Sequence, residues 1–322
     1  MRILFVTATR IGDAVLSTGI LNWLATQHPH ARFTIACGRP AAPLFEPFPQ
    51  LERLIVMDKR PMSGHWFALW TACLSTRWDI AVDLRGSGTL WFLWAGQRFV
   101  HRRGRDDRNQ HGVVTNAALL GLAPPPPPRL WTRRVDEQRA AALMPPGPPV
   151  LGIGPTANWR GKEWPAEKFV ALIERLTGGR APLAGARVAL FGAGAERPAA
   201  EPVIAAVPAG RRIDLVGTAD LPTIAACLKR CTLYIGNDSG LMHMAAAVGT
   251  PTLGLFGPGN ETRYGPWGPR TAVVRTAATP QELMGRPGFD HLTTGTLMGS
   301  LTVDAVEAAA TALLARVREP AV

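Results

Sequence analysis

Short runs of branched and aromatic apolar residues alternate along this chain with longer stretches whose apolar positions recur every three to four residues. In the first half, residues 3–7, 33–36, 54–57 and 80–84 read as β-strands, and residues 14–26 and 65–74 as helices. The second half repeats the rhythm, with strands predicted at 150–153, 188–191, 213–215, 233–235 and 252–256. Helices are predicted there at 166–176, 196–206, 221–229, 241–247 and 303–317. Pro165 stands where proline is tolerated at a helix start, and the last helix gathers Val303, Val306, Ala310, Leu313, Leu314 and Val317 on one side. Alternation of this kind predicts parallel sheets covered by helices on both faces. The richest apolar run, Leu-Trp-Phe-Leu-Trp-Ala at 90–95, reads as one buried helix face. It falls far short of the roughly 18 residues that span a bilayer.

The rhythm stops at Ala123. Proline runs at 124–128 and 145–149 exclude helix and central strand, while residues 136–143 between them read as helical, so the segment is a structured connection. With 322 residues the chain is too long for one ordinary core. The expected architecture is α/β: a doubly wound domain over residues 1–144, with its linker from about 123, and a second over 145–322. Ligands are expected at the carboxyl ends of the strands, in a cleft between the two.

Composition narrows the function classes. A hydrophobic fraction of 47% with 18% charged residues is a globular balance. The opening Met-Arg-Ile-Leu-Phe-Val reads as a first strand and not as a cleavable signal, so a cytoplasmic location is expected. The net charge of +11 favours nucleic acid, anionic lipid or a phosphorylated substrate, without choosing among them. Cys37, Cys73, Cys227 and Cys231 form no Cys-x-x-Cys pair and are expected as buried free thiols, with no metal site.

Four turns carry candidate chemistry. In Gly236-Asn237-Asp238-Ser239-Gly240-Leu241-Met242-His243 a buried strand ends, a carboxylate follows, and Ser-Gly opens a helix. Free N–H groups at a helix start bind phosphate, Gly240 admits a ligand to the backbone, and His243 lies one turn beyond Ser239. Helix capping by Asp238 or Ser239 is the alternative. The loop 154–165 offers Thr156, Asn158 and Lys162, suited to a diphosphate, with Lys162 placed to neutralise a leaving group; a solvated loop is the alternative. In Thr9-Arg10-Ile11-Gly12-Asp13, Asp13 can take a proton from an acceptor hydroxyl or cap a helix. Gly192-Ala193-Gly194-Ala195-Glu196 lacks the third glycine of a dinucleotide fingerprint, so NAD is disfavoured.

A basic run of Arg98, His101, Arg102, Arg103, Arg105, Arg108 and His111 suits an anionic acceptor, membrane headgroups or plain solvation. Between His101 and His111 no Phe, Tyr or Trp is interleaved, which argues against single-stranded nucleic acid.

Together these segments resemble the ADP-heptose:lipopolysaccharide heptosyltransferases of glycosyltransferase family 9, and the second inner-core enzymes most of all. The resemblance rests on Ile11-Gly12-Asp13, on Trp78-Asp79-Ile80-Ala81-Val82-Asp83-Leu84-Arg85-Gly86 and on Gly161-Lys162-Glu163-Trp164-Pro165. It continues through Asn237 to His243 and Gly254-Leu255-Phe256-Gly257-Pro258. It implies a GT-B fold, with two Rossmann-like domains binding acceptor in the first and donor in the second. It also implies an inverting, metal-independent transfer that needs no cofactor, the ADP-sugar being a co-substrate. On that pattern Asp13 is the general base and Lys162 stabilises the departing ADP. Asp238 orients sugar hydroxyls, Ser239 and Gly240 hold the diphosphate with His243 in support, and Glu196 meets the nucleoside; Thr156 and Asn158 complete the donor set. Arg10, Arg98, Arg102, Arg103 and Arg105 are the acceptor candidates. The implied partners are a nucleotide-sugar donor and an anionic lipid-linked oligosaccharide, with peripheral contact at the inner membrane and no nucleic acid. The cysteines that family members often carry after the last strand are missing from 280–299. Two other functions are weighed: a nucleotide-sugar-binding protein without transferase activity, and a GT-B transferase using a different sugar nucleotide.

Overall fold

The computed structural model of the chain describes residues 1–59, 61–102, 109–285 and 288–318. They divide into two compact units, Met1–Arg133 and Arg134–Val322. The first unit runs β1 (Arg2–Val6), α1 (Ile11–Gln27), β2 (Arg32–Gly38), β3 (Leu51–Met57), α2 (Gly64–Cys73), β4 (Trp78–Asp83), β5 (Ala95–Val100) and α3 (Gly112–Leu119). Its parallel sheet has the order β3-β2-β1-β4-β5, so successive strands leave β1 in opposite directions and the switch point lies between β1 and β4. Ile3 to Val6, Phe33, Ile35, Ala81 and Val82 are buried, as expected for central strands covered on both faces.

The proline run at 124–128 lies against α1. A Cβ at Gly19 would come within 2.2 Å of the Pro126 carbonyl oxygen, so only glycine lets the strap approach the helix this closely. The Arg129 N–H donates to Thr18 Oγ1 at 3.0 Å, and the Asn116 side chain donates to the Leu16 carbonyl at 3.1 Å. The strap is therefore fixed to the first unit by packing and hydrogen bonds, which explains why polyproline here is ordered.

The second unit runs α4 (Arg134–Leu143), β6 (Val150–Gly154), α5 (Ala166–Thr177), β7 (Arg187–Leu190), α6 (Arg197–Ala206), β8 (Arg212–Asp214), α7 (Leu221–Lys229), β9 (Leu233–Asn237), α8 (Gly240–Ala247), β10 (Thr252–Phe256), α9 (Glu261–Tyr264), β11 (Thr271–Arg275), α10 (Pro280–Met284) and α11 (Val303–Arg318). All its strands pair in parallel, in the order β11-β10-β9-β6-β7-β8, with the switch point between β6 and β9. The core joins Leu151, Ile153, Leu233 and Ile235 of these strands to Phe169 and Leu172 of α5 and to Val306, Ala310, Leu313 and Leu314 of α11. Helix α4 packs on α7, and Lys229 of α7 pairs with Glu137 at 2.7 Å.

One reading of the hydrophobic pattern is corrected. Residues 90–95 are not a buried helix face. They form a short 3-10 turn at Thr89–Phe92 that leads into edge strand β5. Leu90 and Leu93 enter the core, whereas Trp91, Phe92 and Trp94 face outward. Strands β5 and β11 escape the pattern because both are edge strands with small or polar positions that dilute the apolar signal.

Candidate functional site

The carboxyl ends of β6 and β9 flank the second unit's switch point, and the loops that leave them meet there. Asn237 ends β9 fully buried. Its amide donates to the Pro155 carbonyl at 2.8 Å, and its side-chain oxygen accepts from the Trp164 N–H at 3.0 Å. One amide thus fixes both ends of the 155–163 loop. A second clamp forms where the Ala157 N–H donates to Glu163 Oε1 at 3.2 Å. Burial pushes the Glu163 carboxyl above the ordinary carboxylate range, and the Ala157 bond opposes that rise.

Held in this way, the loop delivers the Lys162 ammonium to Asp238 Oδ2 at 2.5 Å. Asp238 is buried and Lys162 half-buried, so the pair is largely shielded from solvent. Ser239 occupies the N-cap position of α8 with extended backbone, yet its hydroxyl makes no cap bond. That Oγ lies buried near the Tyr234 hydroxyl and forms no hydrogen bond of good geometry among the described residues. The capping alternative therefore does not describe these side chains. Asp238 serves a lysine, and Ser239 keeps a buried hydroxyl beside the free N–H groups of a helix start.

The surrounding backbone is shaped to fit. A Cβ at Gly259, after β10, would stand 2.5 Å from Asp238 Oδ2. Cβ atoms at Gly154 and Gly236 would press on the Tyr234 hydroxyl at 2.0 and 2.6 Å, which leaves room for that buried ring under the strand ends. Thr156 Oγ1 donates to Glu196 Oε2 at 2.7 Å, and the same oxygen accepts from the Ala193 N–H at 3.0 Å. Thr156 and Glu196 are thus a linked pair joining the turns after β6 and β7. Asn158 is exposed, and His243 is buried in α8. From outside, residues 288–301 latch the loop. The Trp159 indole donates to the His291 carbonyl at 2.6 Å, and the Leu297 N–H donates to the Gly161 carbonyl at 3.1 Å. Sequence reasoning gave these latch residues no role, because their partners are backbone carbonyls that carry no side-chain signature. Asn237 was more legible: an amide ending a buried strand must find partners.

The first unit builds a similar corner at its own switch point. Asp13 lies half-buried in the first turn of α1, while exposed Arg10 holds the N-cap position, so Asp13 is not the cap. Across the switch point, buried Asp83 ends β4 and accepts from the Arg85 and Ser87 N–H groups, both at 2.8 Å. Arg85 then reaches Thr9 Oγ1 at 3.2 Å, which ties the two loops together. Among the acceptor candidates, Arg98 is spent on the carbonyls of Leu90 and Leu93, at 3.1 and 2.6 Å. Arg102 is exposed, and Arg103 and Arg105, with Arg108, lie outside the described residues.

The four cysteines are buried and free, as the sequence led us to expect. Burial pushes the thiol of Cys37 up to about 12, that of Cys73 to about 11 and that of Cys227 to about 12, so none is a nucleophile near neutral pH.

The profile of Glycosyltransferase family 9 (heptosyltransferase) matches residues 68–286, more than half of the chain. The chain belongs to glycosyltransferase family 9. This glycosyltransferase is 25% identical over 315 residues to lipooligosaccharide heptosyltransferase 2 of Haemophilus influenzae, which takes in 85% of this chain and 88% of the relative. It shares its fold with E. coli ADP-heptose LPS heptosyltransferase II, at a TM-score of 0.77 and 21% identity over 99% of this chain and 100% of the other. E. coli heptosyltransferase WaaC with ADP aligns at a TM-score of 0.69 and 19% identity, covering 96% and 98%. The fold is GT-B, with two Rossmann-like units.

Proposed function

We propose that the chain transfers a heptose from ADP-heptose to the core of a lipid-linked oligosaccharide of the lipopolysaccharide type, with inversion and without a metal ion. The observation that carries this reading is the Lys162–Asp238 pair at the second switch point, beside the buried Ser239 hydroxyl. It offers a cation for a diphosphate, a carboxylate for sugar hydroxyls and a donor-rich helix start for phosphate oxygens. Thr156 and Glu196, on the neighbouring turns, would meet the nucleoside. The names of the E. coli proteins, with ADP and ADP-heptose, support the donor, and that of the H. influenzae relative supports the acceptor.

In this mechanism the acceptor hydroxyl attacks the anomeric carbon from the face opposite the diphosphate. The new carbon–oxygen bond forms as the bond to the phosphate oxygen breaks. The hydroxyl proton passes to Asp13, and Lys162 balances the charge gathering on departing ADP. Such an acceptor sits at the inner face of the cytoplasmic membrane, where the chain would work as a peripheral protein; among the described residues no helix is long and apolar enough to cross a membrane.

A donor screen combined with turnover tests the reading. ADP-heptose should release ADP only when the acceptor is present, and UDP- and GDP-sugars should not substitute. Asp13→Ala should lower transfer by about 10²- to 10⁴-fold while donor affinity holds. Normal turnover by that variant would remove Asp13 as the base, and preference for a UDP-sugar would overturn the donor.

A further inference from the structure

Helix α2 carries no charged residue, and neither does the turn at Thr89–Phe92. One side of each segment is explained by packing: Leu69 and Cys73 of α2 meet Leu90 and Leu93 in the core over β1 and β4. The other side is not. Phe67 is 66% exposed, Trp91 65%, Phe92 73% and Trp94 75%. A helix of ordinary soluble type turns mainly polar residues outward, whereas the exposed positions of α2 are Phe67 and Thr71.

Trp70 ties helix α2 to the turn at Thr89–Phe92. The ring of Phe67 lies 5.6 Å from that of Trp70, and the Trp70 indole N–H donates to the Phe92 carbonyl at 3.0 Å. Leu74, four residues beyond Trp70, is also exposed. Exposed apolar patches with several large aromatics mark interaction sites.

Charge identifies the partner. No Asp or Glu occurs between Lys59 and Arg77, or between Arg85 and Arg102. Of the nearest acids, Glu52 pairs with Arg32, Asp58 pairs with Arg39, Asp83 is fully buried, and exposed Asp79 takes the Arg2 N–H. Cations border both segments. Arg53 donates to the Ala72 carbonyl in the last turn of α2, at 3.0 Å, and Arg98 holds the carbonyls of Leu90 and Leu93. Lys59 and Arg77, which flank α2 in the sequence, are exposed. Tryptophan and phenylalanine with neighbouring cations and few acids match the boundary between anionic headgroups and acyl chains.

We propose that Phe67, Leu74, Trp91, Phe92 and Trp94 dock the first unit on an anionic lipid bilayer by inserting into its interface. This gives the transfer proposed above its location and rests on that reading for its purpose, since a lipid-linked acceptor presents its sugars at such a surface. Attachment by this patch has an apolar component, so it outlasts the screening that strips purely electrostatic binding.

The test uses the full chain with vesicles of phosphatidylglycerol and phosphatidylethanolamine, and vesicles of phosphatidylcholine alone as the comparison. Wild type should bind the anionic vesicles with a blue shift of tryptophan emission. A measurable fraction should stay bound at about 1 M salt, where the Debye length falls to about 3 Å. The triple variant Trp91→Ser, Phe92→Ser, Trp94→Ser alters only exposed side chains and should keep its thermal transition. It should lose at least about tenfold in vesicle affinity, while ADP release with a soluble, deacylated acceptor stays at the wild-type rate. Wild-type vesicle binding by the triple variant would sink the proposal. So would a dimer that the triple variant dissociates without any vesicle binding by wild type, which would assign the patch to a second copy. Failure of soluble-acceptor turnover in wild type counts against the transferase reading instead, so the two failures are distinguishable.

Discussion

Asp238 is a buried carboxylate whose charge is answered by the Lys162 ammonium. Removing one partner of such a pair strands the other in low dielectric. Lys162→Ala should therefore cost stability as well as rate. Because the Lys162 side chain is a quarter exposed, the expected loss is toward the low end, about 2 kcal/mol. The catalytic loss should be larger, about 10²- to 10³-fold in kcat. The double variant Lys162→Ala, Asp238→Asn separates the two effects. Thermal denaturation should show most of the stability regained, and the transfer assay should show no recovery. If activity returned with stability, Lys162 would be a structural residue only. Residues of this kind were legible in the sequence because each combines a charged or hydroxyl group with a strand-to-helix turn. Gly259 was legible only as part of a glycine–proline turn; that its missing Cβ makes room for Asp238 depends on a contact between residues 21 positions apart.

At the scale of elements, central strands and amphipathic helices follow from the hydrophobic pattern because burial on both faces leaves an unbroken apolar run. Strands β1, β6, β9 and β10 are of this type. Edge strand β5, Ala-Gly-Gln-Arg-Phe-Val, is not, and its role is set by pairing with β4. The segment 90–95 misleads for a different reason. Aromatic density signals burial in a soluble protein, and here part of it is a surface. The proline strap shows that local chemistry fixes what a chain cannot do before it fixes what it does. Five prolines exclude helix and central strand, but only Gly19 on α1 reveals where they lie. Gly19→Ala places a methyl group against a carbonyl oxygen that has no room to yield. It should destabilise the first unit by about 1–3 kcal/mol, measured by denaturant titration, and leave the ADP binding proposed for the second unit unchanged. A stable Gly19→Ala variant would mean that the strap is freely displaced.

The whole molecule consists of two units with separate cores, so a single unfolding free energy does not describe it. Ligand should resolve them. ADP at about 100 times its Kd adds about 2.7 kcal/mol to whatever binds it. In differential scanning calorimetry the transition of the second unit should rise and that of the first should not. Equal shifts in both would place the nucleotide contacts in both units. The ion pair at the second switch point also has a bearing on selectivity in a phosphate-rich cell. In the free protein Lys162 is already neutralised, so an incoming anion must part it from Asp238. A lone phosphate satisfies the lysine and abandons a buried carboxylate. A nucleotide sugar brings oxygens for one and hydroxyls for the other, and loses nothing by the exchange. On the proposed reading, the resting pair keeps the site closed to the commonest anions around it.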